Sequence, residues 1–488
     1  MLFNSIEFAF FFPIVTLLFF LLPHRFRWFL LLTASCFFYM YFKPVYIFIL
    51  GFTIVIDYYA GILIAREQNK KKRKWLLLMS IFANVGVLVV FKYYNFIAIN
   101  LNEVFSLVHE NKQIPLLNIL LPIGLSFHTF QAMSYTIEVY RRKQTPEKHF
   151  GIYALYVMFY PQLVAGPIER PQNILHQFHE QKWFDYENMR RGLILIAWGL
   201  IKKVVIADRL ALFVNQVYGK PSEYTGLPLV IATVFFAFQI FCDFSGYSDI
   251  AIGSAKCMGF DLMKNFDRPY LSTNIGEFWR RWHISLSTWF RDYVYIPLGG
   301  NRVTTSRRYL NLLFVFLLSG IWHGANWTFL IWGGLHGCYL ILEDIIYSRF
   351  KNLKEINSNI SIFIKQSVVF ILVAIAWIFF RAESVSDSFY IIRNLFSNWL
   401  PQIKQIINNE SLVRLKLLYI EQQGKEFYLA IFLILLMIIV HRLQGKMSFD
   451  NWIIGKNKKL RWSIYYSMLL IFIFLGIFNR SSFIYFQF

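Results

Sequence analysis

Leu318-Ser-Gly-Ile-Trp-His-Gly-Ala-Asn-Trp327 sets an ionisable histidine, His323, inside one of the chain's apolar stretches. Where hydropathy predicts membrane, burying such a group is costly, and it becomes a functional candidate by default. Imidazole is also the usual general base when a hydroxyl must be made nucleophilic near neutral pH. The residue alone leaves two readings open: a core histidine bonded to a neighbouring helix, or a base lining a site. The surroundings favour the second. Gly320 and Gly324 let a ligand or another backbone approach, while Trp322, Asn326 and Trp327 offer flat apolar walls and an amide, a lining suited to a polar tunnel.

The whole chain agrees with that setting. Of its 488 residues 57% are hydrophobic, 19% aromatic and only 16% charged, against about 25% charged in soluble domains. Apolar segments near the ~20 residues needed to cross a bilayer recur throughout, predicting an all-α polytopic membrane protein and not a single anchor. The net charge of +21 sits in short loops between those segments, so it writes topology and does not point to nucleic acid. Cys36, Cys242, Cys257 and Cys338 lie in apolar runs without CxxC spacing and predict neither a disulfide frame nor a metal site. Phe8 to Leu22 reads as a retained helix, with no basic residue before it and no small-residue cleavage site after it.

Basic loops at His24–Arg27, Lys70–Lys74 and Arg141–Lys143 are assigned to the cytoplasm. The N-terminus then lies outside, five spans alternate, and Asn100 to Gln113 forms an outer loop poor in lysine and arginine. Arg349–Lys354 and Lys456–Arg461 are cytoplasmic by the same rule. Spans near Phe363–Phe380, Phe427–Val440 and Trp462–Phe478 then place the C-terminus outside, with Glu383 to Glu426 as an extracytoplasmic loop bearing a short surface helix. Residues 151 to 168 carry Pro161, Gly166 and Pro167 and predict a segment that dips in and returns, which protein must cover. Residues 270 to 300 mix Arg280, Arg281, Arg291 and Asp292 with Trp279, Trp282 and Trp289, suiting an interfacial or re-entrant piece with rings at headgroup level. About eleven to thirteen membrane elements are expected, in one domain spanning 1–488 without internal repeats.

Other candidates follow from their neighbours. His283 stands beside Arg280 and Arg281, whose charge disfavours its protonated form. That segment is either a headgroup anchor or a second wall of the site, with the arginines attracting an anionic donor such as a nucleotide phosphate. A continuous helix through His323 and His336 would hold their rings about 20 Å apart, giving His336 a packing role. Asp243 and Asp249, six residues apart, do not share a helix face and do not form a paired-carboxylate device; pairing with arginines or capping of a broken helix suits them better. Asp57 reads as a buried pairing residue and His128 as a polar contact between helices. The final Phe483-Ile-Tyr-Phe-Gln-Phe488 is too apolar to hang in water and predicts a fold-back, with Tyr485 either an interfacial anchor or a phenol at the outer mouth.

Four stretches together resemble the membrane-bound O-acyltransferase family, in the branch that O-acetylates alginate and peptidoglycan. They are Gly166-Pro-Ile-Glu-Arg-Pro171, Asp243-Phe-Ser-Gly-Tyr-Ser-Asp249, Phe278 to Ser287 running on to Tyr293–Asn301, and Trp322-His-Gly-Ala-Asn326. They span most of 120–340, which the resemblance makes the catalytic core, whereas the outer helices match only in hydrophobic character. The resemblance implies a ring of helices around a thin floor crossed by a central tunnel, in the cytoplasmic membrane of a bacterium. It also implies catalytic roles for His323 and His283; the substrate-binding set expected beside them is Trp322, Asn326, Trp279, Arg280, Arg281 and Asp243. The last six residues look like the tyrosine motif of a small partner in lipoteichoic acid D-alanylation, which would make Tyr485 an acyl relay. The donor implied is acetyl-CoA, used as substrate with no cofactor and no metal. The acyl group would pass to an extracytoplasmic SGNH-type acetyltransferase acting on a polysaccharide, beside membrane lipid. A D-alanyl transferase using a carrier-protein thioester is the rival within the family. A proton-coupled transporter is a rival outside it, though the halves do not read as repeats; a structural subunit of an envelope-synthesis complex, indifferent to His323→Ala, is another.

Overall fold

The computed structural model describes residues 1–108, 113–119, 121–164, 166–350, 358–408, 411–478 and 484, and among these the regular structure is helical with no strand. Among the described residues six helices are long and apolar enough to cross a bilayer alone: Tyr46–Arg66, Lys70–Leu107, Leu227–Cys257, Trp327–Arg349, Asn359–Arg381 and Gly424–Leu443. The protein is thus a multi-pass, all-helical membrane protein. Shorter pieces such as Ile6–Leu21, His24–Met40, Leu125–Tyr140 and Lys458–Leu475 accompany them.

The chain forms two compact units. The first comprises Met1–Ile196 with Tyr247–Lys264, the second Ala197–Gly246 with Asn265–Phe488. In the first, Lys70–Leu107 is helical throughout, with a π turn at Val89–Tyr93, so helix occupies the first half of the expected Asn100–Gln113 loop. At 1.5 Å per residue its 38 residues reach about 57 Å, well past a 30 Å hydrocarbon core. Asp57 is buried, and neutral groups hold it: Ser80 Oγ donates to it at 2.6 Å and Asn84 Nδ2 at 2.8 Å, with no arginine partner among the described residues. His128 is buried with neither ring nitrogen bonded among the described residues. The 151–168 stretch breaks into Phe150–Met158 and Tyr160–Leu163, and its described residues from Gly151 on are buried in protein, as irregular backbone at depth requires.

The second unit holds the residues singled out for chemistry. Its 270–300 stretch is two short helices, Ile275–Arg281 and Ile284–Phe290, followed by a π turn at Arg291–Tyr295. Trp279, Trp282 and Trp289 are all buried in protein. The Glu383–Glu426 stretch is also more ordered than a loop with one surface helix, containing Val385–Asn394, Trp399–Ile407 and Ser411–Leu417. Ser384 starts the first of these by accepting the Asp387 N–H at 3.0 Å.

A helical hairpin, Thr305–His323 and Trp327–Arg349, dominates this unit. Its arms approach at glycines, the small-residue contact by which membrane helices pack closely. A Cβ on Gly333 would lie 2.2 Å from the Phe316 carbonyl oxygen, and one on Gly320 would lie 2.3 Å from that of Phe329. Neither backbone atom can turn aside. On Gly334 a Cβ would meet only Leu317, at an ordinary 3.7 Å. Gly333→Ala is therefore expected to destabilise by about 1–3 kcal/mol through overpacking, while Gly334→Ala is neutral or gains slightly from helix propensity. Thermal unfolding of the detergent-solubilised variants checks this; equal melting temperatures would show that the arms separate without cost.

Candidate active site

His323 is the last residue of its helix. Gly324 leaves the helical conformation for extended backbone, and Asn326 opens the next helix, its Oδ1 accepting the Thr328 N–H at 3.0 Å while its Nδ2 donates to the Glu383 carbonyl at 3.0 Å. The continuous helix assumed in separating His323 from His336 by 20 Å thus does not exist. The chain turns back, and both rings pack edge-on against Trp332, with centroids 4.8 and 5.1 Å away. Glycine and a capping asparagine between two apolar runs are a legible break signal. Asn326 accordingly caps and tethers this turn, with both ends of its amide occupied by backbone.

The walls of the His323 pocket are aromatic: Trp322 at 4.8 Å, Trp332 at 4.8 Å and Phe380 at 5.3 Å between ring centroids. Phe380 and Trp377, which stacks on Trp332 at 5.9 Å, come from the Asn359–Arg381 helix. Trp279 Nε1 donates to His336 Nδ1 at 3.3 Å. An indole N–H can only donate, so the neutral His336 carries its proton on Nε2. That nitrogen and the indole nitrogens of Trp332 and Trp377 are buried without a hydrogen-bond partner among the described residues. Three such donors among mutually packed rings are unusual, because buried N–H groups are nearly always paired. Sequence reading missed Trp332, Trp377 and Phe380. They look like ordinary apolar residues of spanning helices, and only the hairpin and the Asn359–Arg381 helix bring them to the histidine.

His283 joins the same cluster through Trp322, whose ring lies 6.2 Å from it. Phe244 meets the imidazole edge-on at 4.7 Å. The residue is fully buried, and its φ of 42° is a left-handed conformation that non-glycine residues adopt only at a cost. Burial, not the neighbouring arginines, holds its imidazole well below the usual histidine range. Arg281 pairs with Glu277 at 2.5 Å, and Arg280 is exposed. His283 Nδ1 lies 3.2 Å from Asn265 Oδ1, and Asn265 is another residue the sequence did not single out.

Asp243 stands in a separate environment. Lys203 Nζ bridges Asp243 and Asp208 at 2.7 and 2.8 Å, all three side chains buried, so its partner is a lysine where arginine was expected. Lys203 lies on a π-helical turn, Ile201–Ala207. The other oxygen of Asp243 accepts the Ile484 N–H at 2.7 Å, and Ile484 itself is buried. At Ile484, then, the C-terminal end does fold back into protein; Tyr485 lies outside the described residues. Asp243 is thus occupied by a lysine and a backbone amide. The structure brings together His323, His283, Trp322 and Trp279, and leaves Asn326, Arg280, Arg281 and Asp243 in the roles just described.

Residues 129–385 match the membrane-bound O-acyltransferase family. A probable alginate O-acetylase, AlgI, of Pseudomonas aeruginosa is 39% identical over 412 residues, which are 83% of this chain and 77% of that protein. A peptidoglycan O-acetyltransferase of Helicobacter pylori is 36% identical over 392 residues, covering 75% of this chain and 73% of its own length. A teichoic acid D-alanyltransferase of Streptococcus thermophilus is 27% identical over 315 residues, or 59% of this chain and 69% of that protein.

Proposed function

The chain belongs to the membrane-bound O-acyltransferase family, and from that premise we propose that it carries an acetyl group from cytoplasmic acetyl-CoA across a bacterial cytoplasmic membrane, for O-acetylation of an envelope or secreted polysaccharide. The observation that supports this chemistry best is the buried pair His323 and His283, packed on one tryptophan and walled by aromatic rings. The relatives that span most of this chain are named for O-acetylation, which favours an acetyl donor over D-alanyl.

In the proposed reaction acetyl-CoA enters from the cytoplasm, and exposed Arg280 attracts its phosphates. His323 takes the proton of an acceptor hydroxyl as that oxygen bonds to the thioester carbonyl carbon. Charge then develops on the carbonyl oxygen, and the buried N–H groups of Trp332, Trp377 and His336 make a lining that favours it. The C–S bond breaks, the CoA thiolate leaves, and the proton on the imidazolium goes to the sulfur. Because His323 ends a helix, the partial negative charge of the last carbonyls favours that transient imidazolium. The acceptor is the phenol of Tyr485, beside the residue anchored on Asp243. An extracytoplasmic SGNH-type acetyltransferase then moves the ester to the glycan. Both chain termini face outward in this arrangement.

Incubating the purified full-length protein in detergent with isotopically labelled acetyl-CoA tests the reading by mass spectrometry of the C-terminal peptide. Label on Tyr485 in the wild type but not in His323→Ala is the expected result. Thioester consumption that needs His323 but leaves Tyr485 unlabelled would remove the tyrosine relay alone. No consumption of acetyl-CoA, with turnover of a D-alanyl carrier-protein thioester, would replace the donor.

A further inference from the structure

We propose that Asn265 is a positioning residue that fixes His283 as its Nδ1–H tautomer, so that the ring offers the reaction a lone pair on Nε2 and no donor. The inference rests on reading His283 as part of the acyl-transfer site. It begins from the one backbone group that removes the ambiguity of an amide. The Ser285 N–H points at Asn265 Oδ1 at 3.3 Å, and a backbone N–H can only donate. The atom facing it is therefore the amide oxygen, and the usual interchange of O and N in an asparagine is decided by geometry. Ser285 Oγ gives its single proton to the same oxygen at 2.9 Å. His283 Nδ1, 3.2 Å from that oxygen, must then be the third donor. Ser285 Oγ also lies 3.5 Å from Nδ1, but its proton is already committed along the shorter contact.

The backbone repeats the same grip. The Asn265 carbonyl accepts the Ile284 N–H at 2.9 Å, immediately after the left-handed residue. One asparagine thus holds both the ring and the strained turn that presents it, a conformation whose cost its surroundings must offset. Asn265, His283 and Ser285 are all fully buried, so water does not compete for these bonds. Phe244 and Trp322 confine the ring from other sides.

The chemical consequence is a division of labour. A neutral imidazole with its proton on Nδ1 can accept a hydrogen bond from a hydroxyl or thiol at Nε2, but it cannot donate one to a thioester carbonyl. His283 therefore orients the acceptor hydroxyl, and oxyanion stabilisation falls to other groups.

Nitrogen-15 NMR of the histidine-labelled full-length protein in lipid, with the His283 signals identified by difference against His283→Gln, reads the tautomer directly. The expected pair is a protonated Nδ1 and a bare Nε2, unchanged in Ser285→Ala because the backbone donor remains. A protonated Nε2 in the wild type, or a switched pair in Ser285→Ala, overturns the proposal. Asn265→Leu is expected to lower kcat about 10²-fold with KM for acetyl-CoA unchanged, and Asn265→Asp, which keeps an acceptor on Nδ1, to recover most of that loss. Equal losses in the two variants would mean a purely structural asparagine and overturn it as well. Full acetyl transfer by His283→Gln would instead remove His283 from the reaction while leaving the NMR result standing, which separates the two failures.

Discussion

His323→Gln lowers kcat for acyl transfer by about 10²- to 10⁴-fold, with KM for the thioester donor unchanged. Glutamine is the informative replacement because it fills most of the volume and keeps a polar group, yet has no basic nitrogen. Alanine would also open a cavity among Trp322, Trp332 and Phe380, whose relaxation confuses lost chemistry with lost packing. The split between kcat and KM follows from what the ring does. Proton transfer is an interaction made only in the transition state, so its removal leaves ground-state binding of the donor alone. Single-turnover consumption of labelled thioester by the solubilised protein is the measurement. A His323→Gln enzyme turning over at the wild-type rate would end the assignment of His323 as the base. A rate loss accompanied by a matching fall in thermal stability would place the residue in the fold and not in the reaction. Base catalysis explains only part of a typical enzymatic acceleration, and the rest must come from holding two substrates against each other in a confined pocket.

His323 was legible because an ionisable group interrupts an apolar run, an expense that hydropathy exposes without any fold. The turn that follows it was legible too, in Gly324 and Asn326, yet reading 323 to 336 as one helix set the two histidines far apart. Helix periodicity cannot tell a long helix from two antiparallel ones; the capping residues can. The asparagine that holds His283 left no trace, since Asn265 lies eighteen residues upstream in an irregular segment and meets the histidine only through tertiary folding. Trp377 and Phe380 were hidden for a different reason. In a chain with 14 tryptophans and 53 phenylalanines, an aromatic residue on a spanning helix does not distinguish pocket wall from lipid contact. The tryptophans at 279, 282 and 289 were harder to read: mixed charge and indole leave open which groups protein covers, and in the fold the indoles are buried while Arg281 pairs with Glu277, Arg291 with Asp292, and Arg280 is exposed. Spanning helices near the C-terminal half were read well, because Asn359–Arg381 and Gly424–Leu443 are set by length and hydropathy alone.

Removing the buried Lys203 cation of the second unit is expected to give the largest stability loss. Lys203→Met leaves Asp208 and Asp243 facing each other without the ammonium that lies 2.8 and 2.7 Å from them. Breaking a buried ion pair by deleting one partner typically costs about 3–5 kcal/mol, because the surviving charge keeps its desolvation penalty. Here two carboxylates survive, so the loss belongs at the upper end. An internal comparison is available in Lys256, whose 2.9 Å contact is with an Asp261 side chain that is 78% exposed; such a pair contributes about 0–1 kcal/mol. Thermal unfolding in one detergent should therefore show a large drop for Lys203→Met and almost none for Lys256→Met. The triple variant Lys203→Met, Asp208→Asn, Asp243→Asn should regain much of the loss, since neutral amides carry no uncompensated charge. The same series reports on the chain end. An asparagine at 243 can still offer an oxygen to the Ile484 N–H without leaving an uncompensated charge beside it. Lys203→Met should accordingly expose the C-terminal residues to carboxypeptidase faster than the triple variant does. If Lys203→Met melts with the wild type, the ionic cluster does not stabilise the fold. If it melts early but the C-terminus stays protected, Ile484 is held by its own burial and Asp243 only accompanies it.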